Sequence, residues 1–150
     1  MTIRPITPAD VSEWSRMRSL LWPGHCHDNE IAAFFKGALR EPEIVLVAPR
    51  DDGSLCGFVE VSVRHDYVEG ASSTPVAYIE GWYVDPEFRG GGLGRKLIGA
   101  AEAWAAARGF AELASDAAPD NEHSIRAHRL LGFAEAGRSV HFIKRVEKRD

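Results

Sequence analysis

Apolar residues recur at helical spacing in two early stretches of the chain. Val11, Trp14, Met17 or Arg18, and Leu21 mark one side of a first helix. Thr7 offers it a hydroxyl cap, Pro8 suits its first turn, and Asp10 puts an acid near its positive end. Trp22-Pro23-Gly24 ends it. A second helix is predicted from about Asp28 to Leu39, with Ile31, Phe34, Phe35 and Leu39 on its apolar side. The pattern then becomes strand-like: Glu43 to Ala48 runs out, Asp52-Gly53 turns, and Leu55 to Val63 returns. Asp66 to Pro75 reads as a loop, and Val76 to Val84 as a strand interrupted by Gly81. A glycine inside a strand marks a bulge or a close approach to the backbone.

Four glycines fall within residues 90–94, and a helix is predicted to follow from about Leu93 to Arg108, with Leu97, Ala101 and Trp104 on one side. Gly109 sits where a helix C-terminal glycine belongs. A short strand over Phe110 to Ser115, a helix over Asn121 to Leu131 and two strands within Phe133 to Val146 complete the expectation. The order is ααββ followed by βαβαββ, a mixed α/β fold.

Composition narrows the class more than the chemistry. A chain of 150 residues with 45% hydrophobic and 27% charged residues suits one soluble domain spanning 1–150. No apolar run approaches the roughly 18 residues of a membrane span, and the N-terminal stretch lacks a signal-peptide apolar region. Cys26 and Cys56 have no metal-ligand spacing, so a reduced cytoplasmic setting without a metal is expected. A net charge of −4 weighs against nucleic acid and suits a cationic partner better. There is no internal repeat or linker.

The glycine window invites three nucleotide motifs. A P-loop requires GxxxxGK[ST], and Gly94 is instead followed by Arg95-Lys96-Leu97. A dinucleotide fingerprint starting at Gly90 or Gly92 puts Arg95 or Leu97 in its third position, too large for close helix–strand packing. What remains is RxxGxG, Arg89-Gly90-Gly91-Gly92-Leu93-Gly94, between a strand and a helix. Successive N–H groups at a helix start form an anion site, and Arg89 and Arg95 add charge suited to a pyrophosphate. Alone, the window fits a plain glycine turn equally well.

Two elements together resemble the GNAT superfamily of acetyl-CoA-dependent N-acetyltransferases. One is a strand ending Trp82-Tyr83-Val84, followed by Pro86 and Arg89xxGxGxxL97; the other is Asn121xxSer124xxxHis128xxxGly132Phe133. The resemblance implies a central mixed, mostly antiparallel twisted sheet flanked by helices, with a splayed strand pair that binds acetyl-CoA. It implies coenzyme contacts from Trp82, Tyr83, Val84, residues Arg89 to Arg95 (Gly90, Gly91, Gly92, Leu93 and Gly94 among them) and Asn121, and it implies a homodimer. His128 stands where the superfamily commonly has a tyrosine that protonates the departing thiolate. An imidazolium can also donate that proton, and a packing histidine on the helix is the other reading.

The acceptor amine must lose its proton to attack, so a carboxylate near the gap is expected to hold it and to help remove the proton. Glu80 precedes Gly81, and Asp116 ends the next strand. A buried carboxylate with only a structural role would need a visible partner. Asp120 suits a helix cap, while Asp28, Asp66 and Glu69 read as solvated loop charges. Backbone N–H groups near Tyr83 or Val84 suit the oxyanion.

Leu21-Trp22-Pro23, Arg64-His65-Asp66-Tyr67-Val68, the run Ser73 to Val84, and Glu112-Leu113-Ala114-Ser115-Asp116 resemble aminoglycoside 6′-N-acetyltransferases. That resemblance nominates Trp22, Tyr67, Glu80 and Asp116 for an acceptor cleft, with direct transfer in a ternary complex. Carboxylates and aromatic faces suit a sugar bearing several ammonium groups. An acetyltransferase for a polyamine or a protein N-terminus is the alternative enzyme, and an acyl-CoA-binding sensor module the alternative without turnover.

Overall fold

The protein's structure, a computed structural model, describes residues 2–38 and 41–148. Its elements are β1 (Arg4–Pro5), α1 (Val11–Leu21), α2 (Asp28–Phe35), β2 (Ile44–Pro49), β3 (Leu55–Arg64), β4 (Val76–Val84), α3 (Leu93–Ala107), β5 (Leu113–Ala114) and α4 (Glu122–Leu130). Short 3₁₀ turns over Pro8–Asp10 and Pro86–Phe88 precede α1 and α3. The five strands form one sheet in chain order, antiparallel from β1 to β4, with β5 parallel to β4. This is the mixed, mostly antiparallel sheet that the resemblance implies.

The chain groups into two compact units, one up to Asp116 and one from Ala117 onward. In the first, two layers cover the sheet. Trp14 and Met17 of α1 and Ile31 of α2 are buried with Val45, Val47, Leu55, Phe58 and Tyr83 on one sheet face. The Trp14 ring meets Phe34 and Phe35 edge-on at 5.3 and 5.9 Å, a geometry favoured by the ring quadrupoles. Helix α3 buries Leu93, Leu97, Ile98, Ala101 and Ala105, and Leu97 lies 3.1 Å from where a Cβ on Gly57 of β3 would stand. Val11, expected on the buried side of α1, is 38% exposed. On α1 itself burial begins at Trp14, one turn further on.

Helix α2 ends at Phe35, before the expected Leu39, in a turn in which Gly37 takes a φ of +70°. Leu39 itself lies outside the described residues. The Asp52-Gly53 turn forms as expected, with Gly53 at φ +88° and the Arg50 N–H donating to the Ser54 carbonyl at 2.7 Å.

In the second unit, Asn121 caps α4 by accepting from the Ser124 N–H at 3.1 Å, so the cap is Asn121 and not Asp120. The two strands expected within Phe133 to Val146 are absent: residues 133–148 carry no regular secondary structure. The apolar residues that suggested them are uncovered: Val140, Phe142, Ile143 and Val146 are 78–99% exposed. Without a paired neighbour, an alternating segment gains neither ladder bonds nor a buried face.

One charged cluster ties α1 to the end of β4. Asp85 is 3% exposed. It accepts from Arg16 Nη1 and Nη2 at 3.0 Å each, Arg50 Nη2 at 2.8 Å and the Tyr83 hydroxyl at 3.0 Å. Burial works to raise its carboxyl, but the bonds from Arg16, Arg50 and Tyr83 prevail and hold it below the ordinary 3.8. A depressed folded value means stabilisation that is complete above the unfolded value and is lost as pH falls through the folded one. Asp85→Asn is expected to lower stability by about 1–3 kcal/mol at neutral pH, with the gap to the parent narrowing at acid pH. Urea melts of both proteins at pH 7 and pH 3 check this; a gap that stays constant would contradict it.

Candidate active site

The site is built on one irregularity. Glu60 of β3 faces Gly81, and the next β3 residue, Val61, faces Ile79, so Glu80 is the extra residue of a bulge in β4. A bulge bends its strand and re-aims the extra side chain. β4 pairs with β5 only at Ala77–Leu113 and Tyr78–Ala114. From Ile79 on, among the described residues, β4 has a β3 partner on one edge and none from β5 on the other. That is the splayed pair the resemblance implies.

Gly81 satisfies both readings of a strand glycine. Its φ is not positive, so conformation does not require it. Room does: a Cβ there would stand 2.7 Å from Cη2 and 3.1 Å from Cζ2 of Trp22. The Trp22 indole lies directly on the bulge, held at the C-terminus of α1.

The two candidate carboxylates differ in a way the sequence did not distinguish. Glu80 is gripped by Arg64, whose Nε and Nη2 donate to its two oxygens at 2.9 and 2.8 Å. The Arg64 guanidinium also lies 3.4 Å from the Tyr78 ring centroid. Glu80 thus has the visible partner that a structural carboxylate needs, and its charge is matched. Asp116 is exposed and accepts from the Tyr78 hydroxyl at 2.5 Å. A neutral phenol orients that carboxylate without cancelling its charge. Burial, followed by the bond to Asp116, pushes the Tyr78 phenol well above its usual range, so it stays a donor through neutral pH. Glu80, Arg64, Tyr78 and Asp116 form one continuous polar chain.

Arg64 and Tyr78 were missed as site residues. Tyr78 reads as one apolar position of a strand, and Arg64 as a charge beyond a strand's end. The available signal was placement, since Arg64 extends the alternation of β3 on the same side as Glu60 and Ser62.

The loop before β4 is fixed at both ends. Val68 is buried against Val76 and Tyr78, and the Ser72 N–H and hydroxyl both donate to Glu112 at 2.8 and 2.7 Å. Tyr67, between these anchors and the end of β3, is 79% exposed, with its hydroxyl 3.3 Å from Glu69.

In the glycine window, Gly90 and Gly92 take φ values of +84° and +88°, which L side chains rarely adopt. Gly92 is the N-cap of α3, so the first N–H groups of that helix lack intrahelical acceptors. Gly94 serves packing, since a Cβ there would stand 3.1 Å from the Trp82 ring. Arg89 braces the loop: its Nε donates to the Val84 carbonyl at 2.8 Å, and its guanidinium lies 5.6 Å from the Tyr83 ring. Arg95 is exposed on the first turn of α3, and Lys96, unassigned from sequence, lines the same depression as Arg89, Gly91 and Leu93.

In the second unit, His128 places Nδ1 2.7 Å from the Ser124 carbonyl and its ring edge-on to Phe133 at 5.2 Å. A carbonyl only accepts, so Nδ1 carries a hydrogen. Neutral His128 therefore presents a lone pair at Nε2, and only the imidazolium can donate there. Among the described residues no group of three or more His, Cys, Asp or Glu could hold a metal, and no helix is long and apolar enough to cross a membrane.

The pattern of the acetyltransferase (GNAT) family matches residues 11–133, and the chain belongs to that family. An aminoglycoside N(6′)-acetyltransferase type 1 of Stenotrophomonas maltophilia is 42% identical over 94% of this chain and 91% of its own. One of Klebsiella aerogenes is 45% identical over 89% of each. Among solved structures, AAC(6′)-Iy in complex with the bisubstrate analogue CoA-S-monomethyl-acetylneamine superposes with a TM-score of 0.86 at 36% identity, covering 97% of this chain and 98% of that one. AAC(6′)-Ih of Acinetobacter baumannii gives 0.85 at 36% identity, over 97% and 99%.

The seat of Trp22 on Gly81 is open to a direct check. Gly81→Ala is expected to destabilise by about 1–3 kcal/mol, the usual penalty of overpacking. Trp22→Phe, which removes the clashing ring atoms, should recover part of that loss in the double variant. Denaturant melts of the four proteins give the coupling, and strict additivity would mean that the indole does not lie on the bulge.

Proposed function

We propose that this chain transfers the acetyl group of acetyl-CoA to the 6′-amine of aminoglycoside antibiotics, by direct attack within a ternary complex, and thereby confers resistance to them. The observation that carries the reading is Asp116: an exposed carboxylate, fixed by a neutral donor, beside the strand whose edge opens at a bulge. Family membership supports the acetyl-CoA half, and the relatives' shared acceptor supports the other.

The coenzyme's pyrophosphate would sit on the N–H groups at the start of α3, with Arg95 and Lys96 adding charge. Gly90 and Gly92 hold that loop open to it, and Asn121 is a further proposed contact. Its pantetheine arm would bond the edge of β4 that faces away from β3, over Trp82, Tyr83 and Val84, as another strand would. An N–H of that edge would take the oxyanion as the amine attacks the thioester carbonyl.

Asp116 would hold the acceptor ammonium and, directly or through water, receive its proton before attack. Glu80, its charge already matched by Arg64, still has lone pairs to spare for orienting the amine. Trp22 and Tyr67 would supply flat apolar faces for the sugar rings. His128 would protonate the departing thiolate as the imidazolium. The absence of a cysteine from these elements favours direct transfer over an acetyl-enzyme.

The proposed protein is a cytoplasmic homodimer with one domain per chain. The exposed side chains of Val140, Phe142, Ile143 and Val146 support the dimer, since single-chain surfaces rarely leave such a run uncovered.

Thiol release from acetyl-CoA should be measured across a panel of amines, with mass spectrometry locating the acetyl group. Kanamycin-type acceptors with a 6′-amine are expected to turn over, and analogues with a 6′-hydroxyl to be poor N-acetylation substrates. Equal N-acetylation of both excludes 6′ regiospecificity. Activity confined to peptides or polyamines points to another acceptor, and coenzyme binding without turnover on any amine to a sensor.

The carboxylates should separate kinetically. Asp116→Asn is expected to reduce kcat/KM for the acceptor by about 10²–10⁴, the range for loss of an acid–base group, with acetyl-CoA affinity kept. Glu80→Gln should act more on KM, because it loosens Arg64 and Tyr78 around the acceptor. Steady-state kinetics at saturating acetyl-CoA decide this; parent-like values for both would remove the pair from the site.

A further inference from the structure

A buried charged cluster behind Trp22 takes no part in the chemistry above, and its geometry bears on that indole. Arg18 is 5% exposed and Glu60 1%. Arg18 donates Nε and Nη2 to the two Glu60 oxygens at 2.7 and 2.8 Å, and Nη1 to Glu30 at 2.7 Å. Glu60 also accepts from Trp14 Nε1 at 3.1 Å, and it faces Gly81 across the bulge. The same Arg18 Nη1 lies 3.3 Å from Nδ1 of His27, which is 6% exposed, and His27 Nε2 lies 3.2 Å from the Trp22 carbonyl.

These partners fix the imidazole. A guanidinium only donates, so Nδ1 accepts; a carbonyl only accepts, so Nε2 carries the hydrogen. Neutral His27 thus relays between a locked arginine and the backbone of Trp22. The Arg18 guanidinium also lies 5.1 Å from the Trp22 ring centroid. The indole is therefore constrained at its backbone by His27, on its face by Arg18 and at its edge by the Gly81 bulge. Buried ions of this kind add little stability over apolar residues of the same volume. A scaffold that fixes a ring is a use that apolar residues would not serve.

We infer that His27, backed by the Arg18–Glu60 pair, is a positioning residue for Trp22 and through it sets the affinity of the cleft for its acceptor. The inference rests on the assignment of Trp22 to the acceptor cleft made above.

The test uses His27→Ala, which removes both contacts, and His27→Gln, whose amide can still donate to the Trp22 carbonyl. The chain has four tryptophans, so 5-fluorotryptophan labelling gives a small ¹⁹F spectrum in which Trp22→Phe identifies the Trp22 line. In His27→Ala that line is expected to shift or broaden while the Trp104 line stays in place. The acceptor KM should rise by about ten-fold or more, up to the roughly 10²-fold that a 1 Å misplacement can cost, with kcat and the acetyl-CoA KM held within about two-fold. His27→Gln should recover most of both effects. An unmoved Trp22 line, a parallel loss for both substrates, or a glutamine variant as impaired as the alanine one would overturn the inference. Trp22→Ala serves as the separating control. An unchanged acceptor KM there overturns the cleft assignment and the kinetic half of the inference, while the fluorine spectra still decide whether His27 positions the ring.

Discussion

One extra residue in β4 organises most of what this protein can do. The bulge at Glu80 shifts the register of β4 against β3, and the same strand keeps β5 as a partner for only two residues. A regular β4 would pair with β3 without a break and would not re-aim Glu80. The bulge also puts a glycine where an indole can lie down on the sheet. The register of β4 and the seat of Trp22 on Gly81 therefore share one cause. The sheet tolerates the irregularity because both faces around it are covered, by α1 and α2 on one side and α3 on the other.

Electrostatics then divides two carboxylates that look equivalent along the chain. An arginine fork neutralises Glu80, while a phenol merely orients Asp116. The difference matters for a polycation, which is drawn to net charge but held by fixed geometry. Arg64 does double duty, since it also stacks on the tyrosine that holds Asp116. A change at any member of this chain is felt by the others, so effects of neighbouring substitutions here will not add.

Much of this was legible before any coordinates. Strand β4 has the boundaries that its alternation implies, and Gly81, Gly109 and Asp52-Gly53 announced a bulge, a helix end and a hairpin. Local chemistry determines such features, so local sequence reveals them. What escaped depends on distant partners. Arg18 could not be told from Met17 on a helical wheel, and only the position of Glu60, 42 residues away, explains why it is buried. Arg64 and Tyr78 were hidden for the same reason. The two final strands failed in the opposite sense: Phe133 to Val146 has apolar residues of strand type, but a strand is a relation between segments, and the pattern of one segment does not supply its neighbour.

The glycine loop owes its form to the backbone. Gly90 and Gly92 take left-handed conformations that shape it, and on the proposed reading it would answer only to a phosphate chain. On the proposed reading, what distinguishes one amine from another would rest instead on side chains around β4: an indole, an exposed tyrosine, two acids and an arginine. Those side chains can be exchanged without disturbing the loop. If the proposed roles hold, a lineage built on this sheet could change its acceptor by small steps while its supply of activated acetyl groups stayed constant.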